Sequence, residues 1–479
     1  MELFADKPSD DGVPGSERRL ATVAVMAATA MAVLDGTVVN VALPSIAESL
    51  KVSAAETIWV ANGYLLAAAM TLVTFSALAS RIGFRRLFVA GVIVFTLASL
   101  GCVLSTSLDM LVAMRVLQGI GGAATLSIGP AIYRTVFPTR LLGRILGLNA
   151  LLVAASTAIG PTLGGILLSV ASWPWLFAIN IPLGILAAVL ASRAIPHNPS
   201  PTIEPFDLAG AFLSAVTMGA AILATDAFAK LSGGSVLDGL LTAGAFGVIM
   251  VVAGAAFVWR QRRASAPLLP LDIFHSARFS LAALTSLVAF VGQGITIISL
   301  PFLFQNAYGY SVFTAALLFT AWPIGIVLAA PQAGRLADRY PPALLSTIGL
   351  GLFTLGLLLL ALLPAQASIA NIVWREFLCG IGFGLFQSPN NREMLANVSR
   401  ERSGNASGVL AIMRTFGQCF GAALVAIVLS AYASPTGDPT DAAQTIVQDV
   451  QAMHVAIAMA AVAAGLAACV SFCRLRKEH

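Results

Sequence analysis

Fourteen apolar runs of about twenty residues recur between Leu20 and Phe472, and each, as a helix, is long enough to cross a hydrocarbon core of about 30 Å. A bilayer offers backbone amides no partner, so a chain built of such runs must satisfy them internally, as spanning helices. The runs lie near 20–43, 57–79, 87–105, 109–132, 145–169, 174–192, 207–229, 237–258, 279–303, 312–333, 343–363, 369–390, 406–430 and 451–473. The fold class this predicts is an all-α polytopic membrane protein with 14 transmembrane helices. Only 10% of the residues are charged, against about a quarter in a soluble protein, and this excludes a soluble enzyme.

The basic residues fix the orientation. Twenty-two of the 27 fall on the side of an alternating fourteen-span chain that both termini share, among them Arg18, Arg81, Arg134, Arg260, Arg335 and Arg474. Only Lys51 and Lys230 fall on the other side, while Arg115, Arg375 and Arg414 lie within spans. Loops that stay in the cytoplasm carry the Lys and Arg excess, so both termini are expected there, and one span more or fewer scrambles the bias. Basic clusters set between apolar runs, not along one face, are no nucleic-acid footprint despite the formal charge of +5.

Cys102, Cys379, Cys419, Cys469 and Cys473 all lie in apolar runs without zinc or disulfide spacing, and packing is their expected role. His197, His275, His454 and His479 form no ligand cluster, so no metal site and no cofactor are expected.

The chain also repeats itself. Ser76 to Arg81 aligns with Gly334 to Arg339 at an offset of 258; Gly119-Ile120-Gly121 aligns with Gly380-Ile381-Gly382, and Gly143 and Gly147 with Gly404 and Gly408, at 261. Two copies of one six-helix unit follow, in the same orientation because an even number of helices separates them. Residues 1–19 are then a polar cytoplasmic tail, 20–195 the first bundle, 196–278 a linker carrying two additional helices, and 279–479 the second bundle with a short cytoplasmic tail.

The segment Leu34-Asp35-Gly36-Thr37-Val38-Val39-Asn40-Val41-Ala42-Leu43-Pro44, the run Arg115 to Gly121, Gly160-Pro161-Thr162-Leu163-Gly164-Gly165 and Trp173 to Gly184 together resemble the major facilitator superfamily, and within it the 14-helix drug:proton antiporter branch. The resemblance covers nearly the whole chain. It implies alternating access driven by the proton gradient, in a plasma membrane of the bacterial inner-membrane kind. The implied partners are small lipophilic substrates, protons and membrane lipids, with the monomer as the working unit.

Three residues are candidates for proton coupling. Asp35 lies about fifteen residues into the first span, where a bare carboxylate must find a partner or take up a proton; a fixed helix contact is the structural alternative. By resemblance it is the first-helix acid implicated in coupling. Arg115 continues at helical spacing through Gln118, Gly122, Thr125 and Gly129, an inward stripe, with snorkelling to the interface as the alternative. Resemblance puts this arginine in the central cavity. Glu376 occupies the position of Arg115 in the second copy; either it faces inward with Gly380, Phe383, Gln387 and Asn390, or it forms an interfacial salt bridge with its neighbour Arg375. Asn40 reads as packing, and Asp109 and Asp226, near outer helix ends, as solvated.

Tyr64, Gln118, Gln293, Trp322, Phe386 and Gln387 are candidates to line a mostly apolar substrate cavity. Gly160 and Pro161 are expected to interrupt the fifth helix, and Gly334 to Tyr340 matches the family's gating loop, with Asp338 and Arg339 as its acid–base pair; Ser80 replaces the acid in the first copy. The branch's occasional acid in helix 13 is missing, since Arg414 is the only charge in that span.

The function expected is proton-coupled multidrug efflux of lipophilic cationic or neutral compounds. Dedicated export of one metabolite, or proton-linked import, is the transport alternative. A non-transporting membrane receptor is the alternative from another class, against which the short loops count. No nucleophile–base pair or metal-ligand set marks an enzyme.

Overall fold

The computed structural model describes residues 2–4, 12–196, 206–229, 236–264, 267–269, 271–364, 367–398, 403–432 and 442–475. Lys7, His197, Lys230, Pro270, Arg400, Arg402, Arg476, Lys477 and His479 lie outside the described residues. Fourteen helices among the described residues are long and apolar enough to span a membrane. They are α1 (Gly15–Leu50), α2 (Ala54–Ile82), α3 (Phe84–Val103), α4 (Leu108–Val136), α5 (Leu142–Val170), α6 (Trp175–Ala194), α7 (Leu208–Ala229), α8 (Val236–Gln261), α9 (Ala277–Ala307), α10 (Val312–Leu336), α11 (Pro342–Ala361), α12 (Ile369–Ala396), α13 (Ser403–Tyr432) and α14 (Ala442–Leu475). The protein is a multi-pass membrane protein, as the apolar runs require. Its large exposed side chains, such as Leu97, Val170, Val248 and Val462, are apolar, which suits a lipid surface and no other.

The ends of the helices follow from local chemistry. Ser53 and Glu56 form a capping box at the start of α2, and Ser107, Ser276, Ser311 and Ser368 cap α4, α9, α10 and α12 through their hydroxyls. A single residue, Gly83, turns the chain from α2 into α3 at φ 99°, a backbone setting that costs a side-chain-bearing residue more. The helix α1 begins at Gly15, inside the polar stretch expected to be tail, because Arg18 is buried there: it donates to the carbonyls of Val13 (3.0 Å) and Leu3 (3.2 Å) and lies over the Phe137 ring. Helix α5 runs unbroken through Gly160 and Pro161, so the expected interruption does not occur.

Helices α1–α6 and α9–α14 pack as two bundles, and the internal repeat is visible in their closest approaches. A Cβ at Gly121 would meet the backbone of Gly91 and Phe95 on α3 at 2.7 and 2.6 Å; Gly382 meets Gly349 and Phe353 on α11 in the same way. Likewise Gly119 abuts the Tyr64 carbonyl on α2, and Gly380 the Trp322 carbonyl on α10. Each glycine pair lets one helix pack tightly against two neighbours at once.

The two additional helices form a hairpin over one seam between the bundles. Ile222 of α7 packs with Cys419 and Ala423 of α13 and Trp59 and Leu65 of α2, and the Trp59 indole donates to Asp226 at 2.7 Å. Asp226 is therefore partnered, not simply solvated as its place near a helix end suggests. Of the cysteines, Cys102, Cys379 and Cys419 are packed inside, while Cys469 and Cys473 are exposed on α14 and have no packing role.

At the base of the hairpin, just ahead of α7, burial alone would push the Asp207 carboxyl up. Hydrogen bonds from Arg260 (2.5 Å), the Gly210 amide (2.9 Å) and Gln261 (2.8 Å), with the Arg260 charge, outweigh it and hold the group below the ordinary carboxylate range. A group lowered in the folded state lends stability that is complete above its unfolded value near 3.8 and is lost as pH falls through the folded value. Thermal unfolding followed between pH 6 and about pH 3 is expected to show this acid loss in the native protein and a shallower one in Asp207→Asn.

Candidate functional site

Near the middle of the first bundle, three helices bring a carboxylate and a guanidinium together out of reach of solvent. Asp35 of α1 and Arg115 of α4 form an ion pair, with side chains 0% and 1% exposed. The other carboxylate oxygen accepts from the Gln118 amide at 3.0 Å and from Asn180 of α6 at 2.8 Å. Gln118 also donates to Ser99 of α3 at 2.8 Å, and its carbonyl oxygen accepts from Arg115 at 2.6 Å. Arg115 further donates to the Val60 carbonyl at 2.9 Å and lies between the rings of Tyr64 (4.5 Å) and Phe177 (5.6 Å). A buried ion pair is tolerable when its remaining lone pairs and protons are satisfied, and this one is.

Arg115 does not snorkel, and Gln118 and Tyr64, expected on a cavity wall, are instead buried members of this network. The Tyr64 hydroxyl donates to the Ala32 carbonyl at 3.1 Å. Asn180 and Ser99 were not singled out by the sequence; the available signal was an asparagine inside an apolar span, which in a bilayer needs a partner.

Glu376 is placed differently. It is 0% exposed, and neither carboxyl oxygen has a hydrogen-bond partner among the described residues. The salt bridge to Arg375 does not form: Arg375 donates to the Leu359 carbonyl and lies over Trp374. The repeat explains the isolation. At its offsets Ser99, Gln118 and Tyr64 become Leu357, Cys379 and Trp322, so these three polar members of the first network have apolar or weakly polar counterparts in the second copy.

The remaining cavity candidates do not share one wall. Trp322 and Phe386 are buried in a cluster with Phe353 and Phe383, ring centroids 5.4 Å (Trp322–Phe353) and 5.5 Å (Phe383–Phe386) apart. Gln293 of α9 accepts from Gln418 of α13 at 3.0 Å, and Gln387 is half-buried on α12. A second buried network closes the end of the other bundle nearest the chain termini. There Arg474 of α14 donates to Glu393 (2.8 Å) and Asn390 (2.7 Å) of α12 and to Ser471 (2.6 Å), and Asn390 donates to Ser286 of α9 at 2.8 Å. Sequence reading counted Arg474 as a loop charge and passed over Glu393, since both lie where apolar runs end.

The sequence profile described as Major Facilitator Superfamily matches residues 25–422. The chain belongs to that superfamily. It is 43% identical over 474 residues to the uncharacterized transporter YebQ of Escherichia coli K12, covering 99% of each chain. It is 35% identical over 347 residues to the putative multidrug resistance protein MdtD of Salmonella typhi, covering 71% of this chain and 70% of that one. A bacterial homologue of the human lysosomal transporter Spinster, solved inward-facing and unoccupied, shares the fold at a TM-score of 0.70 and 17% identity, over 98% of both chains. A major facilitator of this kind is a transporter and not an enzyme.

Two features of the major facilitator architecture differ from the sequence expectation. Asp338 pairs with Arg392 of α12 at 2.5 Å and not with Arg339. Both partners belong to the second bundle and are about half exposed or more, so this pair does not clamp the bundles together. Gly160 serves close packing, since a Cβ there would collide with the Thr37 hydroxyl of α1. Just beyond it, Thr162 of α5 and Thr320 of α10 hydrogen-bond across the bundles at 2.5 Å, and Gln305 donates to the Val41 carbonyl at 3.0 Å.

Proposed function

We propose that the protein is a proton-coupled exporter of lipophilic small molecules in a bacterial inner membrane, with both termini cytoplasmic and the monomer as the working unit. The observation that carries this reading is the Asp35 carboxylate, buried in α1 and held by donors from α4 and α6. Arg115 forms an ion pair with the Asp35 carboxylate. A proton arriving on Asp35 removes the charge that ties α1 to α4, while Arg115 keeps the Val60 carbonyl, the Gln118 oxygen and the Tyr64 ring. The tie between helices thus differs between the two protonation states, the differential interaction that a coupled conformational equilibrium needs. The cross-bundle bonds of Thr162 and Gln305 lie at the end away from the termini, where they can break and re-form as the bundles rock.

One proton crossing 100 mV supplies about 2.3 kcal/mol, enough to sustain a substrate gradient of about fifty-fold. Glu376, buried on α12 with no hydrogen-bond partner among the described residues, is the second candidate to carry a proton. The likeness to MdtD, a putative multidrug resistance protein, supports export of lipophilic compounds.

Asp35→Asn keeps one acceptor oxygen for Gln118 and Asn180, gives up the oxygen that pairs with Arg115, and cannot ionise. In proteoliposomes it is expected to lose gradient-driven accumulation to the level of empty vesicles while retaining exchange of labelled for unlabelled substrate. Accumulation equal to the native protein's removes Asp35 from the coupling step.

A further inference from the structure

Arg414 is an in-span charge that neither of the two buried networks absorbs. It lies nine residues into the span Asn405–Tyr432, about 13 Å along the helix and so near the middle of a hydrocarbon core of about 30 Å. One flank of α13 faces α2, with Phe416, Cys419, Phe420 and Ala423 packed near Trp59 and Leu65. Arg414 lies on the other flank, one turn before Gln418, whose amide meets Gln293 of α9. Its side chain is half-buried, on the flank of α13 from which Gln418 reaches Gln293 of α9.

Among the described residues no carboxylate, hydrogen-bond acceptor or aromatic ring engages Arg414. The buried acids among the described residues lie elsewhere: Asp35 pairs with Arg115, Asp207 with Arg260 and Glu393 with Arg474, while Glu376 on α12 has no hydrogen-bond partner. A mid-membrane arginine without a counter-ion is costly, and such residues mark ligand or ion pathways.

We infer that Arg414 anchors an anion-binding subsite and that the transported compounds are lipophilic anions, an apolar body bearing a carboxylate or sulfonate. The planar guanidinium offers paired donors to such a head group, and the Gln293–Gln418 amides one turn away offer neutral hydrogen bonds. This names the substrate class of the exporter proposed above and rests on that reading, and it replaces the cationic or neutral compounds that the sequence suggested. Exchange of one monoanion outward for one proton inward moves two elementary charges down an inside-negative potential, so the membrane potential acts on both halves of the cycle.

The test uses three probes with the same body: pyrenebutyrate, its methyl ester, and pyrenylbutyl-trimethylammonium. Saturable binding to the purified native protein in nanodiscs, corrected with empty nanodiscs, is expected to favour the carboxylate over the ester and the cation at least about ten-fold. Arg414→Gln is expected to erase that preference and Arg414→Lys to keep part of it. Absent carboxylate binding, equal binding of the three probes to the native protein, or an unchanged preference in Arg414→Gln overturns the inference. Should Arg414→Gln fail to fold, the native protein's ranking of the three probes still decides. Binding needs no gradient, so loss of coupling in Asp35→Asn and loss of anion preference here are separate failures.

Discussion

Arg115→Ala is expected to lower the unfolding free energy by about 3–5 kcal/mol and to abolish export, because it strands a buried carboxylate. Without the guanidinium, Asp35 keeps only the neutral donors Gln118 and Asn180, the Val60 carbonyl loses its donor, and a void opens between Tyr64 and Phe177. Removing both charges in Asp35→Asn/Arg115→Ala is expected to recover more than half of the lost stability, since no ion is then left buried. Arg115→Lys should fall between, keeping the charge but not the fork that reaches Asp35, Gln118 and Val60 together. Apparent unfolding temperatures of the four proteins in detergent make the comparison; native-like unfolding of Arg115→Ala would show that the pair contributes little to the fold.

Gly380→Ala is expected to be the more damaging packing change. The first side-chain carbon would overlap the Trp322 carbonyl oxygen and lie 3.0 Å from the Gly325 Cα, both backbone atoms of α10. Neither can rotate away, so α10 and α12 must separate and disturb the Trp322, Phe353 and Phe383 cluster packed beside them. A loss above about 4 kcal/mol, seen as little or no folded protein, is the expected outcome. Gly408→Ala is the control: a Cβ there meets nothing within 4 Å, and alanine is the better helix former. Equal yields of the two variants would show that the close approach at Gly380 relaxes without cost.

The spans were legible because a bilayer imposes length and apolarity on every crossing, and fourteen predicted runs correspond to fourteen helices. Tail and loop boundaries were less so: Arg18 and Arg474 look like loop charges in sequence, yet each finds carbonyls or carboxylates that hold it inside. Arg115 and Asp35 could be singled out, since a charge in an apolar run has few tolerable fates. Their meeting could not be read from periodicity, because a helical stripe gives a face and not the neighbour it faces. Tyr64, Trp322 and Phe386 show the same limit, for aromatics that look fit to line a cavity serve equally well as core. Asp338 was paired with its sequence neighbour Arg339, whereas the fold brings Arg392 from another helix closer.

Substrate-induced proton release from energised everted vesicles tests the central claim most directly, read with a pH-sensitive dye as lipophilic substrate is added. The native protein is expected to release protons in proportion to substrate moved, and Asp35→Asn, present in equal folded amount, to release none. Proton release by Asp35→Asn at the native level would contradict Asp35 as the proton carrier.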